Sequence, residues 1–450
     1  MESYRSLITN QREFFRTNQT KEIAFRLNAL KKLRSAVKLY EKDFITALND
    51  DLNKSEFEAY STEIGIILEE LRFTISKLRS WVKPERVKTP ITHIGSTSYV
   101  YSEPYGTTLI ISPWNYPFQL AAAPLIGAIS AGNCAIIKPS ELTPQTSQVF
   151  AKMIQEIFPE NYITVIQGGA ETSQALLQEE FGKIFFTGSV PVGKTVMEAA
   201  AQHLTPVTLE LGGKSPCIIH EDANLKLAAK RIAWGKFTNA GQTCIAPDYL
   251  YIHKRVKDHF LALLREAIQE MYEGHSMTRI VNEKHFDRLT SFMEQGDIFL
   301  GGKSNREMLS IEPTVLTSVT WDDRIMADEI FGPILPVLEY TALDDLIVGI
   351  RNHPNPLALY LFTSSTRIQN ELLESISFGG GCINDTIYHF ANPHLPFGGV
   401  GTSGIGAYHG KSSFDVFSHK KSVLKQTTLF DIPFRYPHVK NALSKIKLFL

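Results

Sequence analysis

The sequence predicts an α/β protein: a parallel sheet covered by helices on both faces, followed by a second α/β domain. Residues 3–81 have helical periodicity, short apolar runs then alternate with helix-compatible stretches, and Gly212-Gly213 separates them from a second alternation. Such alternation is typical of βαβ units. With 450 residues, the chain exceeds the roughly 250 to 300 residues at which a single core stops growing, so two domains are expected.

The amino-terminal region is predicted to be helical up to about Trp81. Apolar positions recur at three- and four-residue spacings with charged residues between them, as at Ile64, Ile67, Leu68 and Leu71. Pro84 then closes the run, because proline cannot continue a helix interior.

Four short apolar runs follow and predict the strands of the first sheet. They cover residues 108–111, 134–137, 163–166 and 183–186. Beyond Gly212-Gly213, strands are predicted at residues 216–220, 249–252 and 331–337. The second alternation would form a second α/β domain that holds Cys244.

Composition argues against several classes of protein. The 46 Lys and Arg residues against 47 Asp and Glu leave a formal charge of -1, which gives no field for binding nucleic acid. Four widely spaced cysteines without a C-x-x-C spacing argue against a disulfide framework and a structural zinc site, and fit a reducing cytoplasm. The thirteen histidines are scattered without an H-E-x-x-H spacing, so no metal is expected.

The chain is also expected to be soluble. Its first fifteen residues carry no secretory signal pattern, and the longest apolar stretch, 120–137, is broken by glycine and polar residues. Residues 436–450 alternate lysines with large apolar side chains. A basic amphipathic helix can lie on a membrane, but docking on its own domain or fraying is the favoured interpretation of this tail.

Two residues suggest covalent chemistry. Cys244 follows Gly241-Gln242-Thr243, small and polar neighbours that indicate a thiol lining a cleft rather than the core. Glu210 lies in an apolar strand, where burial raises a carboxyl pKa toward the range useful for a base. A cysteine can add to a carbonyl carbon and a carboxylate can activate the water that releases the product, although a buried cysteine and a paired structural carboxylate are the plainer alternatives.

Residues 188–195 offer a rival interpretation, because they match the P-loop pattern G-x-x-x-x-G-K-[ST] after a strand and before a helix. In a P-loop hydrolase, Lys194 would bind the β and γ phosphates and Thr195 a magnesium ion. Pro191 removes one amide from the phosphate cradle, and no clear strand ending in a magnesium-binding Asp follows. The same helix start could instead attract the pyrophosphate of a dinucleotide.

Motifs that follow one another in the family's order resemble the aldehyde dehydrogenase superfamily, over about residues 56–423. Besides the segments around Glu210 and Cys244, the motifs are Ile111 to Phe118, Lys138-Pro139-Ser140-Glu141, Phe186-Thr187-Gly188-Ser189, Glu329 to Pro333 and Pro396-Phe397-Gly398-Gly399. Residues 408–411 and 413–415 look most like the class 3 branch, which acts on fatty and aromatic aldehydes.

The resemblance implies a domain arrangement. Residues 1–82 and 102–211 would form an NAD(P)-binding domain of Rossmann type and 212–405 the catalytic domain. Residues 83–101 and 416–428 would form a β arm that pairs subunits into a homodimer, and 429–450 a tail. From the residues alone, both arm segments would be interpreted as loops.

The resemblance also assigns roles to residues. Cys244 would be the nucleophile, Glu210 the base and Asn115 the donor to the oxyanion, although Asn115 alone would be interpreted as a turn asparagine. Lys138 and Glu141 would hold the adenosine ribose, Ser189 with Gly188 and Gly193 the pyrophosphate, and Glu329 with Phe331 the nicotinamide half. Without the resemblance, Lys138 and Glu141 would be an ordinary exposed pair.

The sequence thus predicts an NAD(P)-dependent oxidation of apolar aldehydes to carboxylic acids through a thioester on Cys244, with NAD preferred and NADP tolerated. Backbone amides and the cofactor's charge are expected to lower the thiol pKa, because no basic residue adjoins Cys244. Tyr60, Tyr116, Tyr388 and Phe390 are candidates for an apolar channel, and His409 has a structural role near it. The alternatives are a P-loop hydrolase and a non-catalytic protein that keeps the fold.

Overall fold

The computed structural model describes residues 4–275 and 277–449. Its helices are α1 (Arg5–Arg16), α2 (Ile23–Leu39), α3 (Glu41–Leu52), α4 (Glu56–Ala59), α5 (Gly65–Trp81), α6 (Gln119–Ala131), α7 (Pro144–Ile157), α8 (Ala170–Leu177), α9 (Val190–Ala201), α10 (Leu225–Phe237), α11 (Lys257–Tyr272), α12 (Glu283–Phe292), α13 (Arg324–Ala327), α14 (Leu343–Arg351), α15 (Thr366–Ser375), α16 (Lys411–Val416) and α17 (Ala442–Phe449).

The strands are β1 (Glu85–Val87), β2 (Ser96–Pro104), β3 (Thr107–Ile111), β4 (Cys134–Lys138), β5 (Ile163–Val165), β6 (Lys183–Gly188), β7 (Val207–Leu211), β8 (Pro216–Ile219), β9 (Tyr249–His253), β10 (Asp297–Leu300), β11 (Ser304–Asn305), β12 (Ser310–Ile311), β13 (Thr314–Thr317), β14 (Ile334–Tyr340), β15 (Ala358–Phe362), β16 (Gly380–Ile383), β17 (Gly404–Ile405) and β18 (Ser418–Gln426).

The first sheet has the order β17-β7-β6-β3-β4-β5, and its five strands from β3 to β7 are parallel. The chain starts at β3 in the middle, adds β4 and β5 on one side and then β6 and β7 on the other. This reversal of strand order opens a crevice at the carboxyl ends of β3 and β6, where doubly wound sheets bind ligands. The fully buried residues of β3 and β4 and the wholly buried α6 place the core around this sheet.

The second sheet has the order β10-β13-β14-β9-β8-β15-β16, and all its pairs are parallel except β10 with β13. The predicted α/β class, with two mainly parallel sheets, is confirmed. One predicted strand was misplaced: β14 begins at Ile334 rather than at residue 331, because Phe331 has a φ of 53° and cannot continue an extended chain.

The two arm segments form a third sheet, in which β2 pairs antiparallel with both β1 and β18. The loop interpretation of these residues was therefore wrong, because both long strands are mostly polar and lack the apolar alternation of a half-buried strand. β2 runs to Pro104, past the predicted arm boundary, and β17 leaves the predicted catalytic segment to pair with β7 of the first sheet. The domain boundaries as such stay a prediction.

Candidate active site

Cys244 follows a tight buried loop between α10 and β9. Asn239, Ala240 and Gly241 all have left-handed backbones, with φ values of 56°, 51° and 70°. For Asn239 and Ala240 this conformation costs free energy and persists only where the surroundings impose it, which is common at functional sites. A Cβ at Gly241 would overlap the carbonyl of Gly332, so the loop lies directly against the segment that carries Glu329 and Phe331.

The Cys244 thiol is partly buried, as predicted for a cleft-lining cysteine. Burial raises its pKa well above the ordinary value, and the nearby charges of Glu329 and Glu210 act in the same direction. Hydrogen bonds from the backbone N–H groups of Cys244 and Ile245 lower the pKa, as expected, but burial outweighs them. In the protein alone the backbone amides thus do not bring the thiol pKa below its ordinary value, and the expected lowering has to come from the charge of a bound cofactor.

Glu210 lies near the end of β7, between Thr187 of β6 and Gly404 of β17. Its side chain is 3 % exposed, and among the described residues neither carboxyl oxygen has a hydrogen-bond partner. Burial raises its pKa well above the ordinary range, as predicted. Its charge acts on both Cys244 and Tyr408, so the fold brings the predicted base close to the predicted nucleophile in a buried region.

Asn115 follows β3 and is buried beside the nucleophile loop. Its side-chain Nδ2 donates to the Gln242 carbonyl at 3.0 Å, and its own carbonyl accepts from Asn239 Nδ2 at 2.9 Å. An amide nitrogen carries two N–H groups, so the second remains for an oxyanion. Tyr116 continues the contact, because its hydroxyl lies 2.6 Å from Thr243 Oγ1.

Lys138 ends β4, next to the same crevice. It is buried, and its Nζ lies 2.8 Å from Glu141 Oε2, so Pro139-Ser140 turns both side chains to one side. Partial burial would raise the Glu141 pKa, but the hydrogen bond and charge of Lys138 lower it, which keeps the carboxylate ionised. The pair is not an ordinary solvated one, because the Lys138 side chain is buried although that of Glu141 is 45% exposed.

The segment after β6 opens α9. Ser189 precedes the first turn of this twelve-residue helix, and its side chain caps no N–H group. Gly193 lies inside the helix, where a Cβ would overlap Leu211, so it allows α9 to pack closely on β7. Residues 190–193 are already helical, whereas a P-loop needs them to wrap a phosphate, and this favours the dinucleotide interpretation.

Glu329 and Phe331 close the crevice from the second sheet. A Cβ at Gly212 would overlap the Glu329 carboxylate, which accepts a hydrogen bond from the Gly213 N–H. Burial raises the pKa of Glu329 well above its ordinary value. Phe331, strained by its positive φ, meets Trp114 edge to face at 5.4 Å between ring centroids.

The predicted aromatic residues do not form one cluster. Tyr60 and Tyr388 are exposed, and Tyr388 lies beside Trp234 at 5.3 Å between ring centroids. His409 is buried, stacks on Tyr408 at 4.1 Å and lies 3.8 Å from Glu70 Oε2 at its Nδ1, which fits its expected structural role.

Four residues that contribute to the site are not predicted by the sequence pattern. Lys54, Glu63, Asn239 and Gln242 are all buried and bonded to the loops of Asn115 and Cys244. Only Asn239 and Gln242 gave a signal, as polar residues beside Cys244. The charged pair lies in a helical region where charges normally face solvent.

The described ranges, 4–275 and 277–449, contain neither a candidate metal cluster nor a candidate membrane span. No group of three or more His, Cys, Asp and Glu side chains there is arranged to hold a metal ion. Over the same residues, no helix has the length and apolar character needed to span a bilayer. The absence of a metal and the behaviour of the tail, which includes α17, stay expectations.

Comparison with known proteins gives consistent matches. The profile of the aldehyde dehydrogenase family matches residues 2–423. The chain is 51% identical over 447 residues to 4,4'-diaponeurosporen-aldehyde dehydrogenase of Staphylococcus aureus, covering 98% of this chain and 97% of that one. It is 42% identical over 440 residues to aldehyde dehydrogenase family 3 member A2 of Pongo abelii, covering 97% and 91%.

A solved structure agrees with the fold. The substrate-bound state of the Staphylococcus aureus enzyme AldH superposes with a TM-score of 0.97 at 49% identity, covering 100% of both chains. With a family profile over nearly the whole chain and the site geometry described above, the chain belongs to the aldehyde dehydrogenase family, among its class 3 members, and is an enzyme that oxidises aldehydes.

Proposed function

We propose that this enzyme oxidises apolar aldehydes to carboxylic acids with NAD as the preferred cofactor, through a thioester on Cys244. The observation that carries the proposal is that the buried carboxyl of Glu210, which has no hydrogen-bond partner among the described residues, lies close enough to Cys244 for its charge to act on the thiol. Asn115 completes the set with a free amide N–H.

The first step forms a carbon–sulfur bond. The Cys244 thiolate adds to the aldehyde carbon, and the carbonyl π electrons move to oxygen, where Asn115 and a backbone N–H stabilise the negative charge. One donor of this kind is worth about 3 to 4 kcal/mol in the transition state. The product is a tetrahedral thiohemiacetal anion on the enzyme.

The second half of the reaction releases the acid. When bound, the nicotinamide cofactor supplies the acceptor for the hydride that leaves the former aldehyde carbon, which leaves a thioester on Cys244. Glu210 in its ionised form then takes a proton from water, the hydroxide oxygen bonds to the thioester carbon, and the carbon–sulfur bond breaks. The carboxylic acid leaves and the thiolate is restored.

The residues present fit a nicotinamide dinucleotide. In this proposal the α9 amino terminus with Gly188 and Ser189 holds the pyrophosphate, with Gly193 allowing the close packing below it, because helix amino termini attract anions. Lys138 and Glu141 face one ribose together. Glu329 lies against Gly212, where no Cβ blocks it, and with Phe331 binds the nicotinamide half.

Apolar aldehydes are favoured as substrates for two reasons. The surroundings of Cys244 include the aromatic side chains of Tyr116, Tyr360 and Tyr408, whose hydroxyls are satisfied or buried. A relative covering nearly the whole chain is named for 4,4'-diaponeurosporen-aldehyde, and another is a family 3 member.

The exposed edge of β18 supports the homodimer, because an unpaired edge strand can pair with a second copy.

The proposal is tested by absorbance of reduced nicotinamide with NAD or NADP and a panel of short, long-chain and aromatic aldehydes. We expect catalytic efficiency to rise with apolar size. No reduction with any aldehyde would contradict the proposal, and ATP turnover without aldehyde would favour the P-loop alternative.

Glu141→Gln should shift cofactor choice. Glu141 would accept hydrogen bonds from the free ribose hydroxyls of NAD and repel the 2′-phosphate of NADP, whereas Lys138 would attract that phosphate. We expect the NADP to NAD efficiency ratio to rise about tenfold, equivalent to about 1.4 kcal/mol. Steady-state kinetics with both cofactors measures it.

Glu69→Gln is the matched control, because Glu69 forms an exposed pair with Arg72 at the same three-residue spacing on α5. Its cofactor ratio should equal that of the unmodified enzyme. An unchanged ratio in Glu141→Gln would show that Glu141 does not contact the ribose.

A further inference from the structure

A buried ion pair lies behind the loop that carries Asn115. Lys54, just after α3, and Glu63, in a π-helical turn between α4 and α5, are 0 % exposed, and Lys54 Nζ lies 2.6 Å from Glu63 Oε1. Burying two charges costs free energy that their attraction often only just offsets, and apolar residues of similar size frequently stabilise a fold as well. Stability alone is therefore a poor reason for this pair.

The Lys54 ammonium makes three close contacts. One points to Glu63, the second donates to the Asn115 carbonyl at 2.9 Å, and the charge lies 4.2 Å from the centre of the Tyr116 ring. Two of these three contacts are with consecutive residues of the loop after β3. Lys54 thus binds this loop rather than the helices around it.

Glu63 holds the other end of the same loop. Its Oε2 accepts from the backbone N–H groups of Phe118 at 2.9 Å and Gln119 at 3.2 Å, where α6 begins. A carboxylate is favoured there by the unsatisfied N–H groups and the helix dipole. Glu63 sits in the π-helical turn Tyr60–Ile64, a rare deviation that is frequent at functional sites.

The contact with Lys54 restrains the peptide plane after Asn115. Its carbonyl accepts from both Lys54 Nζ and Asn239 Nδ2, each at 2.9 Å, so both acceptor sites of this oxygen are used. The plane cannot rotate without breaking a buried hydrogen bond. Because Nδ2 of Asn115 is also fixed on Gln242, the direction of its remaining N–H follows from this framework.

We propose that Lys54 and Glu63 are positioning residues that set the geometry of the oxyanion donor Asn115, an inference that rests on the proposed function. They act through Asn115 and have no contact with the reacting atoms. An oxyanion donor displaced by about 1 Å loses much of its effect, so the pair should influence kcat far more than cofactor binding.

The test uses the full-length enzyme with Lys54→Met, which keeps most of the stem and removes the ammonium. We expect kcat to fall about 10²-fold, while the affinity for NAD and the rate of Cys244 alkylation by iodoacetamide change less than about threefold. Alkylation needs the thiolate but no carbonyl oxyanion, so it separates donor geometry from general damage. Thermal unfolding reports whether the variant is folded.

A double-mutant cycle identifies the route of the effect. Asn115→Ala alone should lower kcat about 10²-fold to 10³-fold. If Lys54 acts through Asn115, adding Lys54→Met to Asn115→Ala should lower kcat by less than about threefold more, since residues that act as a unit are not additive. A full further loss of about 10²-fold in the double variant would overturn the inference.

Lys183→Met is the matched control. Lys183 is also buried, at the amino end of β6 and away from the carboxyl-end crevice, and burial lowers its pKa to about 8. Its kcat should equal that of the unmodified enzyme. An equal kcat loss in both variants, or parallel losses of kcat, NAD affinity and alkylation in Lys54→Met, would show ordinary structural damage and overturn the inference.

Glu63→Gln keeps the test decisive if Lys54→Met does not fold, because the amide oxygen can still accept from Phe118 and Gln119. A kcat loss that disappears in the Asn115→Ala background is again expected, and an unchanged kcat in the folded variant would overturn the inference. Failure of the proposed function would look different. The unmodified enzyme itself would then reduce no NAD with any aldehyde.

Discussion

Cys244→Ala abolishes aldehyde oxidation in our expectation and leaves NAD binding nearly intact. The thiol forms the covalent bond to substrate, whereas the proposed cofactor contacts lie on Lys138, Glu141 and Ser189. Loss of a nucleophile commonly costs more than about 10⁴-fold in kcat. Steady-state turnover and fluorescence titration with the reduced cofactor measure the two effects separately.

The other three cysteines are controls. Cys134 and Cys217 are fully buried in the core and Cys382 is partly buried with its Sγ 3.6 Å from His389 Nδ1. Alanine at these positions should lower the free energy of unfolding at most, because it leaves small cavities. Retained turnover in Cys244→Ala would disprove the assignment of the nucleophile.

Glu210→Gln should separate the two chemical steps. If Glu210 activates the water that attacks the thioester, the variant still forms the acyl-enzyme but turns over about 10²-fold to 10⁴-fold more slowly. Mass spectrometry of the variant after mixing with aldehyde and NAD should then show acylated Cys244. In the unmodified enzyme, the raised pKa of Glu210 predicts that deacylation becomes faster as pH rises and the carboxyl loses its proton, a dependence that the variant lacks.

Glu70→Gln provides a buried carboxylate for comparison. Glu70 accepts a hydrogen bond from the Gly410 N–H at 2.8 Å, and glutamine can keep that bond. Its turnover should stay within about threefold of the unmodified enzyme, since conservative changes away from the chemistry have small effects. Normal turnover without acyl-enzyme accumulation in Glu210→Gln would assign Glu210 a structural role.

The sequence pattern predicted the strands of the parallel sheets better than it predicted the polar strands β2 and β18. The apolar runs of β3, β4 and β6 are buried on both faces, which is why their pattern was unambiguous. The strands β2 and β18 gave no such signal. They are polar and pair residues as distant as Ser96 and Gln426, so the residue pattern alone could not reveal them and only the family resemblance implied them.

The site was predicted unevenly for a similar reason. Cys244 and Glu210 stood out because a thiol among small polar residues and a carboxylate within an apolar strand violate ordinary patterns. Lys54 and Glu63 fit the ordinary sequence pattern of a helical region, in which charged residues normally face water. Their partners are Asn115 and the start of α6, and that contact exists only after the helices have packed on the first sheet.

The edge strand β17 has a consequence for how the chain is made. It pairs Gly404 with Glu210, and elsewhere in the first domain Asn133, just before β4, donates to the Phe417 carbonyl at 2.9 Å, so residues near the end of the chain complete this domain. During synthesis, β7 stays an unpaired edge strand on this side until β17 has left the ribosome. The native surroundings of Glu210, on which its raised pKa depends, are therefore complete only after residue 404 has been synthesised.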